Sequence, residues 1–252
     1  MRGPGLPWDW NRDPSTGVRA RLSFGKRIDY RDAKRVGDIK YLWEINRHLH
    51  LATLAQAYCL TQQRMYLDAI GEQLESWFEQ CPYLEGPNWT SSLELGIRLI
   101  NWSLAWQWIG GKSSPLFDGP RGAALRTRWL ESIYQHVHFI RGYFSRYSSA
   151  NNHLIGEVAG IYIATCTWPY WQSFTLWRQQ AQAILEQEAL LQNAPDGVNR
   201  EQAVSYQQFV LDFLVLAGLA GRANGETFAP AYWARIEAMM EYLASIMDMA
   251  GN

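Results

Sequence analysis

From residue 43 onward, apolar residues recur every three or four positions, and no segment alternates residue by residue. That pattern predicts eight helices. The first covers 43–60, with Ile45, Leu49, Ala52 and Ala55 on one stripe. The second covers 64–79, with Tyr66, Ile70, Leu74 and Trp77 in register. Pro82, Gly86 and Pro87 break the chain before a third helix near Thr90, which carries Leu93, Ile97, Ile100 and Leu104. After Gly110, Gly111 and Pro115 comes the cleanest stripe, Leu130, Ile133, Val137, Ile140 and Phe144. A fifth helix follows Ser148, carries Leu154, Val158 and Ile161, and stops at Pro169. The sixth covers 172–191. Asn199 with Gln202 three residues on is a weak capping box for a seventh helix to residue 219. The eighth covers 231–249, with Ile236, Met240 and Leu243.

Short connections between eight helices imply four antiparallel hairpins, stacked as an open solenoid or curled into a toroid. Periodicity alone does not choose between them. Residues 54–77 have the look of a tetratricopeptide unit, but no 34-residue recurrence sustains it. Residues 1–40, with Pro4, Pro7 and Pro14, read as an extended lead-in to one helical domain at 41–252.

Composition narrows the function classes. A chain of 252 residues with 48% hydrophobic content builds a sizeable core. A net charge of -1 gives no electrostatic case for nucleic acid or an anionic membrane. The longest apolar stretch, 158–168, is too short to span a bilayer, and the first ten residues are not a signal peptide. Cys59, Cys81 and Cys166 fit neither a disulfide framework nor a zinc site and read as buried thiols. The 13 tryptophans read mostly as core, with a few free to stack on sugar rings.

Polar chemistry concentrates at 148–157, Ser-Ser-Ala-Asn-Asn-His-Leu-Ile-Gly-Glu, and at Tyr206. Ser148 or Ser149 as N-cap places Asn152 and His153 in the first turn of the fifth helix. Free backbone N–H groups there attract anions, and the same field favours a neutral imidazole that serves as a base. Glu157, four residues on, is placed to orient His153. Each residue alone is more often structural; the combination carries the case. The pairs His48-x-His50 and His136-x-His138 look like metal ligands, but i and i+2 point to opposite sides of a helix. The segment from Asn88 to Ser92 offers amide, indole and hydroxyl groups to a sugar. Glu94, Glu157 and Asp212 supply carboxylates for glycoside hydrolysis, though without supporting spacing. There is no phosphate loop and no nucleophile elbow.

At these residues the sequence resembles the heparinase II/III and alginate lyase superfamily of polysaccharide lyases. The likeness runs from Trp8 to the end. It rests on Trp43 to Leu51, Asn88 to Glu94, Ser149 to Glu157, and Asn199 to Gln202 leading to Tyr206. The resemblance implies an all-α fold, an incomplete α/α toroid followed in the family by a C-terminal β-sandwich. It implies β-elimination on a uronic-acid polysaccharide. Asn152 would neutralise the substrate carboxylate, and His153 and Tyr206 would exchange protons as base and acid. Trp89, Arg47, His48, Asn88 and Glu157 become candidate substrate-binding residues. The step needs no metal and no organic cofactor. Expected partners are an acidic polysaccharide and the missing β-sandwich, so the chain is expected to be a fragment with weak or no activity alone. Few Lys or Arg crowd the motif, which argues against a heavily sulfated substrate. The resemblance implies a periplasmic or secreted setting. The rival readings are a toroid-fold hydrolase, a helical scaffold that binds acidic polysaccharide without cutting it, and a fragment that does not fold alone.

Overall fold

The structure, a computed structural model, describes residues 8–147 and 150–248. Among these, three isolated β-bridges are the extent of strand pairing, and the remainder is helix and loop. The chain divides into two compact units that part between Phe139 and Ile140.

The first unit holds two short helices, α1 (Ala33–Val36) and α2 (Ile39–Asn46), then α3 (Leu49–Thr61), α4 (Arg64–Gln80) and α5 (Ser92–Trp108). It also holds most of α6 (Gly119–Gly142). α3 packs on both α4 and α5. The expected first helix is thus two helices. The chain breaks at His48, which adopts a left-handed conformation (φ 61°) at the head of α3. The break resets the helical phase: Ala52 and Ala55 are buried as expected, whereas Leu49 is 58% exposed. On α4, Ile70, Leu74 and Trp77 are buried in register, as are Ile133, Val137 and Ile140 on α6.

The lead-in is a packed element. Trp10, Asn11, Asp13 and Ala20 are buried. Ala20, Val36 and Leu42 form a small core of their own, flanked by Ile28, Ile39 and Trp43. Of the thiols, Cys81 and Cys166 are buried, but Cys59 is exposed on α3.

The second unit comprises α7 (Asn152–Thr167), α8 (Gln172–Gln192), α9 (Val204–Ala223) and α10 (Pro230–Ile246). α7 packs against α8 and α9, and α10 packs against the same two helices. α7 is buried almost from end to end, which explains its apolar run. α9 is long and apolar enough to cross a membrane, unlike the shorter apolar run at 158–168. Here Val210, Leu211, Phe213, Leu214 and Ala217 bury it as a core helix. Close packing depends on Gly218: a Cβ there would lie 2.4 Å from the Trp233 ring.

The loop before α9 departs from the expected capping box. α9 begins on Ala203, without a side-chain cap. Asn199 instead stitches the loop together. Its backbone N–H donates to Gln207 Oε1 (2.6 Å), its Oδ1 accepts from the Glu201 N–H (3.0 Å), and its Nδ2 donates to Asn193 Oδ1 (2.9 Å). Gln202 takes a positive φ of 55°, turning the chain into the helix.

Candidate active site

The start of α7 meets the loop that leads into α9 in the second unit. Ser148 and Ser149, expected as caps, lie outside the described residues. The cap is Asn151, whose Oδ1 accepts from the His153 N–H (3.1 Å). Asn152 is buried and held by one carboxylate. Its backbone N–H donates to Glu201 Oε1 (2.9 Å), and its Nδ2 donates to Glu201 Oε1 and Oε2 (2.9 and 2.8 Å). The first two N–H groups of α7 are therefore taken, which corrects the expectation of free donors at that end. The anion at this helix start is the protein's own Glu201, where the helix field favours it.

These bonds fix the Asn152 amide. Its Nδ2 lies within hydrogen-bond distance of both Glu201 carboxylate oxygens. His153, next along, has an exposed side chain. Tyr206 lies in the first turn of α9 and is 45% exposed. A pocket of about 360 Å³ opens beside this end, lined by Asn151, Glu188, Gln192, Arg200 and Glu201 among others.

Glu157 plays a different part from the one expected. It is buried on α7, and its two carboxylate oxygens accept from Ser145, one from the backbone N–H (2.8 Å) and one from the hydroxyl (2.7 Å). It ties the chain that leaves α6 to α7. The expected sugar-binding residues of the first unit are likewise interior or engaged. Trp89 is 1% exposed and its indole donates to the Cys81 carbonyl (3.4 Å). Asn88 is buried and donates to the Trp10 carbonyl (3.2 Å). Arg47 pairs with buried Glu94 (2.7 Å) and with Glu44 (2.8 Å). His48 is fully buried, and its Nδ1 accepts from the Trp102 indole (2.8 Å). Of these residues, His48 is the one that serves a buried indole as its acceptor.

His48 and His50 do approach one another, with ring centroids 5.6 Å apart, because His48 precedes the helix rather than lying on it. No metal-binding group of three ligands occurs among the described residues. Instead the core is organised around Arg98, also fully buried. Its Nη1 donates to His136 Nε2 (2.9 Å), its Nε donates to the Asn46 carbonyl, and its guanidinium lies 4.7 Å from the centroid of the Trp77 ring. His136 Nδ1 in turn meets the Ser132 carbonyl (2.7 Å). A ring nitrogen that accepts from a cation cannot carry a proton, so His136 is neutral. Burial, reinforced by the Arg98 charge, holds both His136 and His48 well below the usual histidine range. Burial also brings Arg98 down to about 10 and pushes the Cys81 thiol up to about 12.

Residues 9–249 match the Heparinase II/III N-terminus family. The chain belongs to that family. A heparin-sulfate lyase from Bacteroides stercoris is 23% identical over 91% of the chain. The match takes in 36% of that lyase, so the chain spans about a third of the length of this relative. Among solved structures, a heparan sulfate lyase from Pedobacter heparinus is 21% identical and aligns over 91% of the chain and 36% of its own, with a TM-score of 0.66. A heparinase III gene product is 22% identical, with 89% and 37% covered and the same TM-score. The fold is that of the helical toroid portion of these structures. The relatives are polysaccharide lyases. Glu201 is the residue the sequence reading missed. It sits in a loop without periodicity, and its one signal was its place just ahead of Tyr206 in the motif segment.

Proposed function

We propose that this chain carries half of the active site of a lyase that cuts a uronic-acid polysaccharide by β-elimination, with heparan-type chains as substrate. The observation that carries this reading is the Asn152 amide locked by Glu201 at the start of α7, with exposed His153 beside it. Tyr206, also exposed, stands five residues beyond Glu201.

The chemistry follows from the groups present. A proton on C5 of a uronate is too weak an acid while the neighbouring carboxylate keeps its charge. In this reading the Asn152 amide bonds that carboxylate and stabilises the enolate-like intermediate. His153 or Tyr206 removes the C5 proton; the C4–O4 bond then breaks, C4=C5 forms, and the other group returns a proton to O4. Glu201 acts by holding the amide in one orientation. The second half of the site comes from the rest of a longer protein, as the one-third coverage of the relatives suggests. A periplasmic or extracellular setting suits a polymer of this size.

The test is product analysis on the full gene product with heparan sulfate. Elimination leaves a conjugated double bond that absorbs in the ultraviolet. Products that incorporate water and show no such absorbance would replace the lyase with a hydrolase, and binding without cleavage would replace it with a scaffold.

A further inference from the structure

We propose that a cationic cleft in the lead-in of the first unit is a binding site for a sulfated segment of a glycan chain. The choice of a sulfated glycan rests on the elimination reading above; the cleft itself does not. Between Gly17 and Val36 the sequence carries seven cationic side chains against two carboxylates, in a chain whose net charge is -1. Five of the seven, Arg19, Arg21, Arg27, Lys34 and Arg35, line one cleft of about 690 Å³, together with Asp29. That volume is in the range of ligand sites.

Their pairing is uneven. Arg19 is tied to Asp9 (3.2 Å) and Arg35 to Asp32 (3.0 Å). The side chains of Arg21, Arg27 and Lys34 make no ion pair or hydrogen bond among the described residues. Three unneutralised cations around one concavity repel one another and focus a positive field into it. An anion with several oxygens relieves that repulsion, and the planar guanidinium fork suits a sulfate or carboxylate.

The cleft is built on fixed backbone, so little ordering is needed when a ligand enters. Ala20 and Val36, both lining it, belong to the small core with Leu42. Asp13 clamps the segment from beneath. It accepts from the backbone N–H groups of Ser15 (2.8 Å), Thr16 (3.2 Å) and Asp38 (2.8 Å), and from the Thr16 hydroxyl. Burial alone would raise its carboxyl, but these bonds hold it at about 2. On the other side Gly25 donates to the Leu84 carbonyl (2.8 Å), and a Cβ there would lie 2.4 Å from the Trp89 carbonyl oxygen. Lys26 turns away and donates to the Thr90 carbonyl (2.9 Å).

A sulfated sugar fits better than a nucleic acid. The cleft lining holds no aromatic ring on which a base could stack. The test is binding of a heparin-derived octasaccharide to the 252-residue chain, by calorimetry at several salt concentrations, a readout independent of turnover. Arg21→Ser with Arg27→Ser should weaken binding by roughly tenfold or more and lower the salt slope by about two. Lys112→Ser with Arg126→Ser, removing two cations outside the cleft, should change affinity by less than about twofold. The pair Arg21→Gln with Arg27→Gln, which removes both charges and keeps more of the side-chain length, should show the same loss and serves if the serine pair does not fold. A fully desulfated octasaccharide should bind at least about tenfold more weakly. Tyr206→Phe should leave this binding intact, which separates the cleft from the elimination site. Parent-like affinity in the serine pair, equal binding of the desulfated chain, or tighter binding of single-stranded DNA would each overturn the proposal.

Discussion

The two units treat polar residues in opposite ways. In the first, His48, His136 and Arg98 are sealed among indole rings, and each polar atom that finds a partner finds it inside the protein. In the second, Asn152, His153 and Tyr206 stand at helix starts, two of them exposed and the third buried and held by Glu201. Both sets read alike in sequence: histidine and amide groups in apolar surroundings. What separates them is the cost of burial. A buried histidine beside a buried guanidinium is forced neutral and spends its hydrogen bonds on the fold. His153, at the start of α7, is exposed and keeps its chemistry available.

This contrast predicts a pH dependence of stability that belongs to the first unit. His48 and His136 have folded-state pKa values depressed well below 6.5. In the unfolded chain they bind protons near their ordinary value, so the unfolded state gains protons first as the pH falls. Stability is therefore full above about pH 6.5 and declines below it, by about 1.4 kcal/mol per pH unit for each histidine until its folded-state pKa is reached. Asp13, also depressed, contributes only in stronger acid, as the pH falls from the ordinary aspartate range toward about 2. Urea titrations between pH 7.5 and 5.5 should show a loss of roughly 2 to 3 kcal/mol. A flat profile, or one that rises in acid, would break the comparison by making these histidines ordinary surface groups.

A smaller effect sharpens it from the other side. Glu201→Gln keeps the size of the side chain but replaces one acceptor oxygen with a donor facing Asn152. Turnover of the full gene product should fall on the order of tenfold, with KM little changed, because the amide loses its fixed orientation rather than its presence. Glu201→Asp should recover part of that loss. A Gln variant with unchanged turnover would remove the carboxylate from the mechanism.

Much of the architecture was legible in the sequence because helical stripes survive packing. The expected limits for α4, 64–79, stand beside the observed Arg64–Gln80, and 172–191 for α8 stands beside Gln172–Gln192. The break at His48 was not legible, because nothing marks a non-glycine residue that will turn left-handed to put its ring under an indole. The candidate site was legible where the residues are local: Asn152 and His153 do open a helix, as expected. It was not legible where partners are distant in sequence. Glu157 lies one turn from His153 yet binds Ser145, and Glu201 lies 49 positions from Asn152 yet holds it. The indole-rich segments around Arg47 and Asn88 looked like sugar platforms because stacking on a ring and packing in a core call for the same residues.

The most direct test of the account is the ultraviolet absorbance of heparan sulfate incubated with the full gene product and with its Tyr206→Phe variant, alongside thermal melts of both. Tyr206 is half exposed, and its ring is kept in the variant, so the two proteins should melt together. The account predicts rising absorbance with the parent and none with Tyr206→Phe. Parent-like product formation by the variant would take the phenol out of the reaction and leave the start of α9 without its assigned role.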